Sequence, residues 1–224
     1  MIKVVVFDLD DTLYKEIDFL KSAFKEIVDY AEGQVNGSHL NPAALYEGML
    51  DAYFSKKDAF DYIISSLGVN LDKSILLSLY RNHVPNISLS EGAFELLTDI
   101  KGQGSEIGII TDGRSIQQRN KIMALGLERF VSEENLIISE EFGSEKPSSS
   151  NYEYFMKRFP FADEYIYIGD NLKKDFIAPN SLGWKTICLL DDDRNIHKQD
   201  FSLAPEYLPH YTVYALSEIM DGKI

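Results

Sequence analysis

The chain has 224 residues, 45% of them hydrophobic, which is enough for one large domain or for a core carrying an insertion. Its 36 acidic and 22 basic side chains give a formal charge of −14, and this disfavours nucleic acid and anionic membrane as partners, because both are bound through basic surfaces. The single cysteine, Cys188, excludes an internal disulfide, and no apolar window reaches membrane-spanning length.

The first apolar run, Val4 to Phe7, reads as a buried parallel strand that delivers Asp8 and Asp10 at its end. With side chains alternating at a period of two, these carboxylates share one side of the backbone. Like charges so close repel unless a cation, a shared proton or a substrate uses them. The alternative is an acidic turn at a strand end. The same acids interrupt any signal-like run, so the expected compartment is the cytoplasm. A monomer or homodimer is the expected assembly.

Residues 15–88 change character. Helical spacing of apolar residues predicts a helix over 19–32, a second capped by Asn41 or Ser38 with Pro42 in its first turn, and two more over 58–67 and 71–81. A helical block without strand alternation predicts a small subdomain at 15–88, inserted into a core made of 1–14 and 89–224. The core then alternates. A helix over 92–101 precedes a strand over 106–111 that ends in Thr111-Asp112-Gly113, and a helix over 115–125 is stopped by Gly126. A short strand over 136–139 leads into a polar loop with Lys146 and Pro147, followed by a helix over 150–159. The strand over 165–168 ends in Gly169-Asp170-Asn171, and a helix is expected from Leu172, with a bend or end at Pro179. A strand over 185–190 holds Cys188 as a buried, inert thiol, and the acidic run from Asp191 reads as a solvated loop. Residues 211–214 and 217–220 suggest a last strand and helix. Such alternation predicts an α/β fold, a parallel sheet with helices on both faces, whose ligands sit at the carboxyl ends of the strands. Asp8, Asp10, Thr111, Lys146 and Asp170 all fall there.

The set Asp8-Leu9-Asp10-Asp11-Thr12, the strand ending in Thr111, Lys146-Pro147, and Gly169-Asp170 through Asp175, in that order, resembles the haloacid dehalogenase superfamily, in its phosphatase branch with a helical cap after the first strand. Gln118, Lys121 and Gly126-Leu127 extend the similarity. The resemblance implies a Rossmann-like core and a Mg²⁺-dependent phosphatase. Asp8 would be the nucleophile that forms an aspartyl phosphate, and Asp10 the acid and base for leaving group and water. Thr111 and the N–H groups of Asp112 and Gly113 would bind the phosphoryl oxygens, with the Asp112 side chain turned away to cap the next helix. Lys146 would balance the charge. Mg²⁺ would be held by the side chains of Asp8 and Asp170 and the carbonyl of Asp10, with Asp175 helping directly or through water. Dehalogenases of the superfamily lack an aspartate at position 10 and need no metal.

The helical insertion would act as a cap, hinged at 14–18 and 88–92, that admits a small phosphomonoester such as a sugar phosphate or nucleoside monophosphate. A phosphomutase and a binding protein keeping the fold are the alternatives. His39, His83, His197 and His210 show no metal spacing and are expected at the surface or an interface. Lys56-Lys57 is expected to be solvated, and Arg114 to lie at the rim of the site.

Overall fold

The computed structural model describes residues 2–34, 41–68 and 71–220. The chain separates into two compact units, Met1–Ile17 with Ser88–Ile224, and Asp18–Ile87.

The larger unit is built on strand β1 (Lys3–Phe7), in which Val4, Val5, Val6 and Phe7 are all buried. A strand buried on both faces must be central, and β1 pairs with β2 (Glu106–Thr111) on one side and β4 (Glu164–Gly169) on the other. Strands β3 (Leu136–Ile138), β5 (Lys185–Leu189) and β6 (Tyr211–Val213) complete a sheet of order β3-β2-β1-β4-β5-β6, in which every pairing is parallel. On one face Val4 and Val6 pack with Tyr152, Phe155, Tyr167 and Trp184. The intervening helices are α5 (Glu91–Gly102), α6 (Ser115–Ala124), α7 (Ser139–Phe142), α8 (Ser150–Arg158), α9 (Ile177–Ser181) and α10 (Ser217–Met220). This is a Rossmann-like α/β core. From β1 the chain first moves outward through β2 and β3, then crosses to β4 on the opposite side, so the strand order switches between β1 and β4. Asp8 and Asp170 follow those two strands directly.

The smaller unit is helical. Helix α1 (Glu16–Gly33) begins in the larger unit and runs into the smaller one, so residues 16–18 of the expected hinge form its first turn. Asn41 caps α2 (Pro42–Phe54), Asp58 caps α3 (Ala59–Leu67) and Asp72 caps α4 (Lys73–Asn82), each accepting from a first-turn N–H. Ser38 and His39 lie outside the described residues. Phe24, Phe60 and Tyr80 pack edge to face, which explains the aromatic richness of this segment. Lys56 and Lys57 are exposed, as expected. His83 is not a surface residue. It is buried after α4, where Nε2 meets Ser22 Oγ at 2.7 Å and Nδ1 meets the Glu26 carboxylate, tying the end of α4 to α1.

Two further expectations need correction. Residues 172–176 form a turn, and α9 starts only at Ile177 with Pro179 inside it. At the start of this turn Asp175 Oδ2 accepts the N–H groups of Asp170 and Asn171. The polar loop after β3 also opens with the short helix α7. Among the described residues no helix is long and apolar enough to cross a membrane.

Candidate active site

Asp8 follows β1, and its N–H donates to the Ile168 carbonyl of β4, which fixes the two strand ends together. Its carboxylate is buried with the Lys146 ammonium, 2.6 Å from Oδ1. Lys146 comes from the loop between α7 and α8, and it also donates to Asp175 Oδ1 at 2.8 Å and to the Tyr167 hydroxyl at 3.2 Å. One ammonium therefore serves two carboxylates. Burial works against that charge, but Asp175 and Asp8 outweigh it and hold Lys146 well above the ordinary lysine range. Burial pushes Asp8 up to about 7; Lys146 opposes the rise, and Asp175 and Asp10 add to it.

Asp175 is saturated. Oδ1 accepts from Lys146 and, at 3.2 Å, from Tyr167, while Oδ2 accepts from the N–H groups of Asp170 at 3.1 Å and Asn171 at 2.8 Å. A Cβ at position 169 would lie 2.4 Å from Asp175 Oδ2, so Gly169 is the residue that lets this carboxylate approach the strand end.

Asp10 stands in a different environment. Its Oδ1 accepts from Lys121 at 2.7 Å and from the Tyr14 hydroxyl, and Oδ2 accepts from Gln118 at 2.8 Å. Gln118 and Lys121 are three residues apart on α6 and both buried, so one helix face presents both donors. Burial by itself would raise the Asp10 carboxyl, but the Lys121 charge and the Lys121, Tyr14 and Gln118 hydrogen bonds overcome it and hold the group below its ordinary range. Two carboxyls two residues apart are thus shifted in opposite directions. In the sequence, Gln118 and Lys121 stood out only as parts of a motif. Their contact with Asp10 depends on how α6 packs, which spacing alone does not reveal.

Thr111 is buried at the end of β2, and its Oγ1 accepts from Gln118 Nε2, leaving the hydroxyl proton available to a ligand. Asp112 does not cap the following helix. Its Oδ1 accepts the Lys146 N–H at 3.0 Å and its Oδ2 pairs with Lys174 at 2.9 Å, so it fastens the loop that carries Lys146. Nor does Gly113 offer a free N–H, because that group donates to Ser139 Oγ at 2.9 Å. Its φ of +146° suits glycine. Arg114 pairs with Glu140 at 4.0 Å and is not part of the recess wall.

Asp8, Asp10, Thr111, Lys146 and Asp170 line one recess of about 180 Å³, together with Asp11, Glu16 and Lys174. His197 joins them from an exposed position on the segment after β5, a contribution its lack of metal spacing had concealed. That segment is not simply a solvated loop. Asp192 and Asp193 are exposed, but Asn195 is buried.

Asp8, Asp170 and Asp175 each place one oxygen within 4.8 Å of the others. Burial and the charges of Asp8 and Asp175 push Asp170 up to about 9. Among the described residues Asp8 Oδ2 and Asp170 Oδ1 accept no hydrogen bond, whereas both oxygens of Asp175 are taken. An all-oxygen set with excess negative charge and two unengaged carboxylate oxygens fits a hard divalent cation.

A family model described as haloacid dehalogenase-like hydrolase matches residues 5–189, a span that contains every one of these strand-end residues. The chain belongs to the haloacid dehalogenase-like hydrolases. A glyceraldehyde 3-phosphate phosphatase from Methanocaldococcus jannaschii is 29% identical, covering 99% of this chain and 96% of its own length. One from Pyrococcus furiosus is 31% identical, covering 83% and 80%. Among solved structures, the HAD-hydrolase YfnB from Bacillus subtilis bound to magnesium superposes with a TM-score of 0.68 at 22% identity, covering 100% of this chain and 99% of that one, a likeness of fold. In this haloacid dehalogenase-like hydrolase the recess gathers Asp8, Asp10, Thr111, Lys146 and Asp170, and Gln118, Lys121 and Asp175 hold them in place.

Proposed function

We propose that this hydrolase removes the phosphoryl group from a small phosphorylated sugar or sugar-derived aldehyde through an aspartyl phosphate on Asp8. The observation that carries the reading is the pair of neighbouring carboxylates in opposite settings, Asp8 against Lys146 and Asp10 against Lys121 and Gln118. Two similar proteins named as glyceraldehyde 3-phosphate phosphatases support the substrate class.

In this reading the Asp8 carboxylate attacks phosphorus while Lys146 donates to its Oδ1, and the bond to the departing oxygen breaks in line as the new one forms. Thr111 donates its hydroxyl to a phosphoryl oxygen. A phosphate dianion entering beside Asp10 opposes the pull of Lys121, so Asp10 takes up a proton as substrate binds and passes it to the leaving oxygen. It then takes a proton from the water that cleaves the aspartyl phosphate, and loss of that proton as inorganic phosphate departs returns the enzyme to its starting state, with Asp10 ionised. Mg²⁺, held by the side chains of Asp8 and Asp170 and the Asp10 carbonyl, would offset the repulsion between a carboxylate and a phosphate dianion. With all its acceptor positions used, Asp175 acts on Lys146 and not on the cation. The unit Asp18–Ile87 is the substrate-selecting cap, and the remainder is the catalytic core.

A phosphate-release screen over triose phosphates, sugar phosphates and nucleoside monophosphates, with Mg²⁺ or EDTA, tests the proposal. Wild type should release phosphate from small sugar phosphates only with Mg²⁺, and Asp8→Asn should fall to background. Release from no substrate would overturn the reading, and an isomerised sugar phosphate without free phosphate would replace it with a phosphomutase.

A further inference from the structure

The segment after β5 returns to the site and grips it from two sides. Asn195 Nδ2 donates to Asp170 Oδ2 at 2.9 Å, and Asn195 Oδ1 accepts from Lys15 Nζ at 2.6 Å. Lys15 also lies 3.1 Å from Asp192 of the same segment. The Ile196 N–H donates to Asp11 Oδ2 at 2.8 Å, and Gln199 Nε2 donates to the carbonyls of Asp170 and Leu189 at 2.9 and 2.8 Å. Asp11, at φ +57° in the turn after β1, accepts the Glu16 N–H with its other oxygen. The segment is therefore fastened both to the β1–α1 turn and to the end of β4.

The chemistry of this chain fixes its direction. An ammonium only donates, so Lys15 can be met only by the amide oxygen of Asn195, and the amide NH₂ is then turned to Asp170. The bond occupies Asp170 Oδ2 and sets the plane of the carboxylate, leaving Oδ1 as the oxygen without a hydrogen bond among the described residues. Asn195 is itself 5% exposed, so water competes little for its amide.

We infer that Asn195 is a positioning residue for the carboxylate of Asp170, with its amide oriented by Lys15, and that this pair sets the affinity of the cation site. The inference rests on the reading of that site as a Mg²⁺-dependent phosphatase centre. Partners that orient ligating carboxylates typically change metal affinity by about 10- to 100-fold when removed.

The test is calorimetric titration of MgCl₂ into the metal-stripped full chain, with thermal midpoints measured in EDTA. Asn195→Ala should weaken Mg²⁺ binding by about tenfold or more, and Lys15→Met should weaken it in the same direction by a smaller factor. Lys198→Ala, at an exposed position of the same segment, should leave the affinity unchanged. At saturating Mg²⁺ the KM for substrate should stay near that of wild type while the Mg²⁺ concentration giving half-maximal rate rises. If Asn195 only stabilises the loop, its removal lowers the midpoint in EDTA and leaves Mg²⁺ affinity intact, which overturns the inference while the proposed function stands. Should Asn195→Ala fail to fold, Lys15→Met decides the matter alone, since an unchanged affinity there removes the orienting role. A wild-type chain that neither binds Mg²⁺ nor releases phosphate would overturn the reading of the site itself.

Discussion

Asp8 and Asp10 show how far two identical side chains can be driven apart by their neighbours. Asp8 is paired with an ammonium that it shares with Asp175, whereas Asp10 is met by an ammonium, an amide and a phenol. Removing Lys121 leaves Asp10 without its strongest partner. Lys121→Met should therefore lower kcat by about 10²-fold, within the range for acid–base catalysis, with little change in KM, as read from steady-state phosphate release. The two carboxylates proposed to hold Mg²⁺ make a pH prediction. Asp8 is pushed up to about 7 and Asp170 up to about 9 in the folded chain, against an ordinary value of about 4 when unfolded. Over that interval the folded chain binds more protons than the unfolded one. Their stabilising contribution is complete below about pH 4 and is lost as pH rises through 7 and 9. In EDTA the thermal midpoint should fall between pH 6 and 9, and the increment from Mg²⁺ should grow over the same range. A flat profile in EDTA would contradict this.

Each side chain of the recess depends on a backbone element placed for it. Helix α6 presents Gln118 and Lys121 on one face, and the sequence displayed that spacing, but only the packing of α6 against the strand ends shows that Asp10 is their target. The turn after β4 was misread as a helix because a run beginning at Leu172 has helical composition. In the turn that forms instead, Asp175, five residues after Asp170, captures the N–H groups of Asp170 and Asn171. Gly169 is required for that capture. Gly169→Ala should cost about 1–3 kcal/mol of stability in urea unfolding, because the added methyl overlaps Asp175 and forces the turn to shift. The segment after β5 was the least legible element. Three consecutive aspartates suggested solvent, and nothing in the pattern marked Asn195, two residues later, as the one side chain of the run to be buried against Asp170.

At the level of the whole chain, the succession of strands along the sequence and the placement of functional groups at their ends were legible together. Runs of β-branched residues marked the buried strands, and chemistry-bearing residues at their carboxyl ends marked the site, because a parallel sheet exposes those ends at the switch between β1 and β4. Side-chain partners from distant segments were not legible, since Lys15 with Asn195 and Lys146 with Asp175 meet only after the sheet has formed. The acidity of the chain finds a local counterpart beside the recess, where three buried carboxylates cluster and one lysine is bonded to two of them. The decisive measurement is phosphate release from glyceraldehyde 3-phosphate and other small sugar phosphates, followed with wild type and Asp8→Asn in Mg²⁺ and in EDTA. Wild type should release phosphate in Mg²⁺ alone; release by Asp8→Asn at the wild-type rate, or none by wild type from any phosphorylated sugar, would rule out an aspartyl-phosphate phosphatase built on Asp8.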